Sequence, residues 1–325
     1  MTILYDATMS LFPNTQRHFM NLDRLSAQRR TLILRAKILG ALRAFFNARG
    51  YLEVETPIRI PGPLPEAHIQ AVASDGWYLQ TSPELCMKQL LAAGYERIFQ
   101  ICKCFRQQER GARHLPELTL LEWYTAGQNY RAMMDQCEDL ICLVAEQVGC
   151  LHALVYQGMP IDLSRPWQRL TVSEAFARFG SLSMAQALNE DRFDELMALE
   201  IEPGLAGDRP FFLCDYPASS ASLARLKRGN PSLAERFELY IGGLELCNAF
   251  SELIDPQEQR QRFELELLRR QTSKEAAYPL PEKFLAALDR MPEATGNALG
   301  VDRLVMLLAG ADTIDAVVAF TPEDL

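Results

Sequence analysis

The sequence, 325 residues long, has no paired C-x-x-C sites of the zinc type, and its eight cysteines are scattered. A zinc-stapled scaffold is therefore excluded as the organising principle. No apolar run reaches the length of a membrane span. The first residues, MTILYDATMSLFPNTQRHF, lack the basic-then-apolar order of a secretory leader. The expected location is the cytoplasm, with no membrane partner. Neither G-x-x-x-x-G-K-[ST] nor G-x-G-x-x-G occurs, so the common phosphate-cradling loops are missing. Repeats, low-complexity tracts and long flexible linkers are absent as well. Basic residues are outnumbered, and the net charge of -9 argues against a general polyanion binder while leaving room for a local cationic pocket. What is present, 48% hydrophobic and 23% charged residues, is an ordinary globular composition with material for a sizeable core.

The pattern predicts an irregular lead-in over residues 1–27 and a single domain over 28–325. A helix begins at Arg29, with Leu34, Ile38, Leu42 and Phe45 on one face and Gly50 as the stop. YLEVETPI reads as a strand closed by Pro57, and RIPGPLPEAH as a loop. WYLQTSPELCMKQLLAAG gives a strand, a turn at Ser82-Pro83, and a helix with Pro83 near its first turn. RIFQICKCF and ELTLLEWYTAG are strands flanking a charged loop. A helix is expected over about 131–148, and short helices and loops over about 150–208. PFFLCDYP is a short buried strand, and AERFELYIGGLELCNAFSEL is a hairpin around Gly242-Gly243. PQEQRQRFELELLRRQ is a polar-faced helix, and ALGVDRLVMLLAG a loop leading into a short apolar helix. The sum is an α+β fold, a mostly antiparallel sheet backed by helices rather than a βαβ array.

Period-two alternation sorts the strand residues by face. Glu122 and Tyr124 share a face of ELTLLEWY, and Asn248, Phe250 and Glu252 share a face of LELCNAFSE. If those faces meet, two carboxylates, an amide, a phenol and an aromatic wall form a receptor for an ammonium group. Taken alone, each strand glutamate is more often a solvated, outward residue. Glu245 and Glu252 have opposite parity, so both reach one site only across a bulge or bend. The loop between the two apolar strands carries Arg106, Arg110, Arg113 and His114. A phosphate ligand and a solvated surface loop both account for it. Arg303 opens the last helix, where backbone N–H groups favour an anion, and with Arg106 it points to a phosphate chain. Glu238 and Glu245, on neighbouring strands of the hairpin, could hold magnesium against such phosphates or only balance local arginines. Cys102 and Cys104 share a strand face, where buried free thiols are expected more than a metal site.

These residues carry a resemblance. ICKCFRQQERGARHLPELTLLEWY resembles motif 2 of the class II aminoacyl-tRNA synthetases, ALGVDRLVML resembles their motif 3, and YLEVETPI resembles motif 1, the dimer-forming element. TSPELCMKQLL and LELCNAFSEL are similar to the lysyl branch. YPASSASLA and ALGVDRLVM look like its truncated paralogues, the ligases that join (R)-β-lysine to elongation factor P. The likeness covers about residues 28–320. It implies a class II synthetase-like catalytic domain, a homodimer, ATP and Mg2+ as cofactors, and a two-step reaction in translation. Lysine or (R)-β-lysine would form an aminoacyl-adenylate, and the acyl group would pass to a lysine side chain of elongation factor P. The residues ahead of the first helix are too few for a five-stranded anticodon-binding barrel, so no tRNA is expected. The alternative is a non-catalytic paralogue that binds a lysine-like ligand and regulates.

The resemblance also implies roles. Arg106 and Arg303 would be the catalytic arginines, at the α- and γ-phosphates, with His114 near the phosphate tail. Gln107, Gln108, Leu115, Leu246 and Gly300 would complete the nucleotide contacts, and Glu238 and Glu245 would hold the metal. Ser82, Pro83 and Glu84 would bind the amino acid, Glu84 at the amino group near the carboxyl end. Glu122, Tyr124, Asn248, Phe250 and Glu252 would form the rest of the amino-acid pocket, with Tyr124 and Glu252 toward the terminal ammonium. Ala298 stands where the synthetases have glycine. One methyl is worth about 1–3 kcal/mol of discrimination, enough to favour β-lysine without excluding α-lysine. Four positions depart from the family pattern: Gln108 for glutamate, Leu115 for asparagine, Ala249 for glycine and Ser220 for glutamine.

Overall fold

A computed structural model describes residues 22–66, 69–273 and 276–325. Residues 1–21 of the expected lead-in lie outside the described residues. The rest of that lead-in is not irregular, because residues 22–27 are helical. Arg24 and Gln28 donate to the carbonyl of Asp315 at 2.9 and 2.8 Å, which ties this turn to the C-terminal segment.

Helix α1 (Arg29–Ala48) buries Ile38, Ala41, Leu42, Phe45 and Phe46, close to the expected stripe, and Gly50 follows it at φ 72°. Strand β1 is only Leu52–Glu53. The expected longer strand is cut short because the chain leaves the sheet edge before Pro57. Helix α2 (Glu84–Ala92) starts on Pro83. Strands β2 (Arg97–Phe105) and β3 (Glu117–Ala126) flank the charged loop. Helix α3 (Tyr130–Gln147) is capped by the Asn129 side chain, which accepts from the amides of Arg131 and Ala132. After short elements come β4 (Gln168–Thr171), β5 (Phe211–Pro217), β6 (Asn230–Ile241) and β7 (Leu244–Ser251). Helix α4 (Pro256–Thr272), strand β8 (Ala294–Gly300) and helix α5 (Val301–Ala309) complete the frame.

The main sheet runs β1-β2-β3-β8-β7-β6-β5-β4, with Leu226–Lys227 added beside β6. Its interior pairs are antiparallel, and only β1–β2 and β4–β5 are parallel. Strand β8 corrects the sequence reading, which placed a loop there. Its two glycines and an asparagine have low strand propensity, but pairing on both sides overrides it.

One sheet face is the core. Leu121, Trp123, Phe237, Ala249 and Leu299 pack there against α1, α3 and α5, and Phe46 stacks on Phe99 at 4.7 Å. Burying each such side chain stabilises by about 1.5–3 kcal/mol, so the strands are held from behind. The other face is left to line a cavity.

Candidate active site

The register arranges the open face in ranks. Directly paired residues of adjacent strands point the same way. One rank runs Gln100, Glu122, Ala298, Asn248 and Glu238, and the next runs Ile98, Tyr124, Gly296, Phe250 and Arg236. The parity problem of Glu245 is solved by a bulge: Leu239 pairs with Cys247 but Tyr240 with Glu245, so Leu246 is the extra residue. The bulge turns Glu245 onto the face of Asn248 and Phe250.

The cavity over these ranks has a volume of about 680 Å3. At one end it is lined by Arg106, His114, Leu115, Glu245, Gly300 and Arg303, with Leu246 beside them. Ser82, Glu84, Glu122 and Tyr124 line the other end, and Asn248, Phe250 and Ala298 lie between. Five expected residues do not line it. Gln107 and Gln108 are exposed on the loop, with Gln108 in the left-handed region at φ 69°. Pro83 serves as the helix start. Glu238 and Glu252 are buried beside the cavity-lining residues Asn248 and Gly296.

The end with Ser82, Glu84, Glu122 and Tyr124 is a buried acidic cluster. The Glu122 carboxylate accepts from Ser82 Oγ at 2.6 Å and from the Tyr124 hydroxyl at 2.9 Å. Burial, reinforced by the charge of Glu84, pushes its pKa up to about 8. Lys88, absent from the sequence reading, is fully buried and pairs with Glu252 at 2.5 Å and with Glu84. Its ammonium lies over the Phe250 ring at 5.1 Å. Burial works against that charge, and the two carboxylates outweigh it, so Lys88 is held protonated. Burial also raises Glu252 to about 8, against the pull of Lys88. Three carboxylates thus share one internal cation, and ionising all of them calls for a second. The i,i+4 spacing of Glu84 and Lys88 was the available signal for this residue.

At the other end, Arg303 donates to the Glu245 carbonyl at 2.9 Å, to its carboxylate at 3.1 Å and to His114 Nε2 at 2.6 Å. A guanidinium only donates, so Nε2 accepts. Burial and the neighbouring Arg303 lower the His114 pKa, which agrees with a neutral ring. Asp302 fixes the start of α5 by accepting from the Thr119 amide at 2.7 Å and pairing with Arg35 at 2.6 Å. Arg110 turns away from the cavity and pairs with Asp315 and Glu323 at 2.8 and 3.0 Å. The charged loop therefore divides, with Arg106, Arg113 and His114 lining the cavity and Arg110 clasping the C-terminal segment.

Glu238 accepts from the hydroxyls of Tyr216 and Tyr240, each at 2.7 Å, and from Arg236 at 2.7 Å. Burial and the nearby Glu245 charge raise its pKa, a repulsion that a divalent cation would relieve. Among the described residues, no cluster of three or more His, Cys, Asp or Glu is disposed to hold a metal. Two carboxylates fit magnesium only if phosphate and water oxygens supply its other ligands. Cys102 and Cys104 stay free thiols 3.9 Å apart.

The family model described as tRNA synthetases class II (D, K and N) matches residues 13–324. The chain belongs to the class II tRNA synthetases. Within that family it is similar to the "Elongation factor P--(R)-beta-lysine ligase" of Sodalis glossinidius, 38% identical over 92% of this chain and 97% of the relative. The protein of the same name from Pectobacterium atrosepticum gives the same identity and coverage. The "Lysine--tRNA ligase" of Moorella thermoacetica is 37% identical over 90% of this chain, which spans 65% of that relative's length. As a class II synthetase-family protein, this chain builds its site on the antiparallel face that the ranks above define.

Proposed function

We propose that this protein is an ATP-dependent ligase that activates (R)-β-lysine, or lysine, and transfers it to a lysine side chain of elongation factor P. The observation that carries the reading is the buried cluster of Glu84, Glu122 and Glu252 around Lys88, at a cavity that Arg106 and Arg303 also line. A ligand ammonium balances the acids, and a triphosphate balances the arginines. The names of the relatives supply the substrate and the acceptor, and all of those given above are ligases, which disfavours the non-catalytic alternative.

In the first step a carboxylate oxygen of the amino acid attacks the α-phosphorus, and the bond to pyrophosphate breaks. Arg106 and Arg303 would stabilise charge on the phosphates, and neutral His114 would hold Arg303 in place. Glu238 and Glu245 would hold Mg2+, which when bound neutralises phosphate charge. In the second step the deprotonated amine of the acceptor attacks the acyl carbon, and AMP leaves. The enzyme contributes mainly position, because both reactants sit on a rigid sheet. Ala298 pairs with Glu122 and Asn248 in the rank, and its methyl would reshape the space around the backbone end of the amino acid. We also propose a homodimer, a cytoplasmic location and no tRNA substrate.

The test is amino-acid-dependent ATP–pyrophosphate exchange with (R)-β-lysine, α-lysine or no amino acid, followed by transfer to purified elongation factor P. Exchange that prefers β-lysine, with a mass increase on the factor, is expected. Folded protein that exchanges with neither amino acid would overturn the reading.

A further inference from the structure

A lysine-type substrate carries two ammonium groups, and the cluster already described provides clearly for one. Glu122, Tyr124 and Glu252 stand at the deep end. Glu84, the sequence candidate for the other ammonium, is engaged by Lys88 from the next turn of its own helix. That pair uses one oxygen of Glu84, so a further carboxylate would complete the surroundings of the ammonium near the reacting carboxyl group.

Glu66 is placed to be it. Its side chain lines the same cavity as Ser82, Glu84 and Arg106. Among the described residues its carboxylate makes no hydrogen bond and no ion pair. Burial pushes its pKa up, and Arg106 and then Glu84 are the charges that act on it most, both of them lining the same cavity. Its backbone is fixed: Arg270, 1% exposed, donates to the Glu66 carbonyl at 2.7 Å and to the Ile69 carbonyl at 3.1 Å. That guanidinium lies 4.1 Å from the Tyr278 ring centroid, and the Tyr278 hydroxyl accepts from the Ala71 amide at 2.9 Å.

A second observation is independent of the acids. Gln259 on α4 borders the same cavity, is fully buried, and among the described residues has no partner for either amide atom. Buried polar atoms are rarely left so, and a polar ligand filling the cavity would account for it. The plainer role for Glu66, balancing Arg106, is weakened because the ion-pair partner of Arg106 is Glu109, at 3.7 Å.

We propose that Glu66 receives the ammonium group nearest the carboxyl end of the substrate, and is therefore a specificity-determining residue. The inference rests on the proposed function. Its test compares wild type with Glu66→Gln by calorimetry, using (R)-β-lysine, α-lysine and 6-aminohexanoate, which has the terminal ammonium but lacks the second. The expected result is at least about tenfold weaker binding of the preferred lysine isomer, with 6-aminohexanoate and the KM for ATP unchanged. Glu66→Asp should recover part of the loss. Equal weakening of 6-aminohexanoate, no change in any ligand, or an effect confined to ATP would each overturn the assignment. Wild type that binds neither lysine isomer would overturn the proposed function, and this inference with it. An unchanged Glu66→Gln protein beside an active wild type overturns this inference alone.

Discussion

Glu122 shows how burial sets the charge of a single residue, and the proposed ligand would act through it. With its pKa near 8 it is mostly protonated at pH 6 in the free site, while a bound ammonium favours the ionised form. Binding therefore releases a proton below pH 8. Affinity for the lysine-type ligand should rise from pH 6 to pH 8, by at most about tenfold per pH unit for each carboxyl that ionises, and then level off. Calorimetry in buffers of different ionisation enthalpy measures the released proton, and a flat affinity profile would contradict the charge argument. Lys88 is the complementary case. Lys88→Met leaves Glu84 and Glu252 buried without their cation, so urea unfolding should show a loss of about 3–5 kcal/mol. A neutral result would mean that those carboxyls are already uncharged. Both residues lie within segments that the sequence marked. Glu122 was readable from strand parity, whereas Lys88 was not, because a lysine on a helix is ordinarily solvated and only the packing of α2 against Phe250 and Glu252 buries it.

Among the elements, β8 carries the most constraint for its length. A Cβ at Gly296 would lie 2.3 Å from Glu252 Oε1 and 2.3 Å from Tyr124 Cε1. No side chain fits there without moving the two residues at the deep end of the pocket. Gly296→Ala is expected to cost about 1–3 kcal/mol of stability through overpacking. It should abolish lysine binding while leaving binding of a non-hydrolysable ATP analogue within a few-fold, which calorimetry with each ligand would check. Loss of both ligands would mean that the sheet itself is disrupted. The bulge at Leu246 is the second element-scale device. The sequence showed that Glu245 and Glu252 needed a bulge or bend, and the register located it. Strand β8 was misread as a loop for a reason the sequence could not reveal: its residues are poor strand formers, and their partners lie far away along the chain.

At the scale of the molecule, the sheet divides the labour between a packed back and an open front. Among the described residues, no helix is long and apolar enough to cross a membrane. Exposed apolar side chains, Leu52 at 51% and Ile58 at 44%, stand within and beside the short edge strand β1, in the segment that resembles a dimer-forming motif. An open edge with apolar neighbours invites pairing. Sedimentation equilibrium should give twice the monomer mass, and Leu52→Asp should shift it toward monomer. A wild-type monomer at micromolar concentration would remove the dimer from the proposal.

The sequence by itself determined the fold class, the main hairpin strands and the long helices, and it named many of the residues that line the cavity. It could do so because strand parity, helix spacing and turn residues are local, and because the motif-like segments are contiguous. Only the tertiary structure decided which carboxylates share a cation, which arginine of the charged loop faces away, and that Glu66 and Gln259 border the cavity. Those facts depend on long-range burial and on register. A group's charge state and its partners are set by what surrounds it in space, and a linear pattern does not contain that.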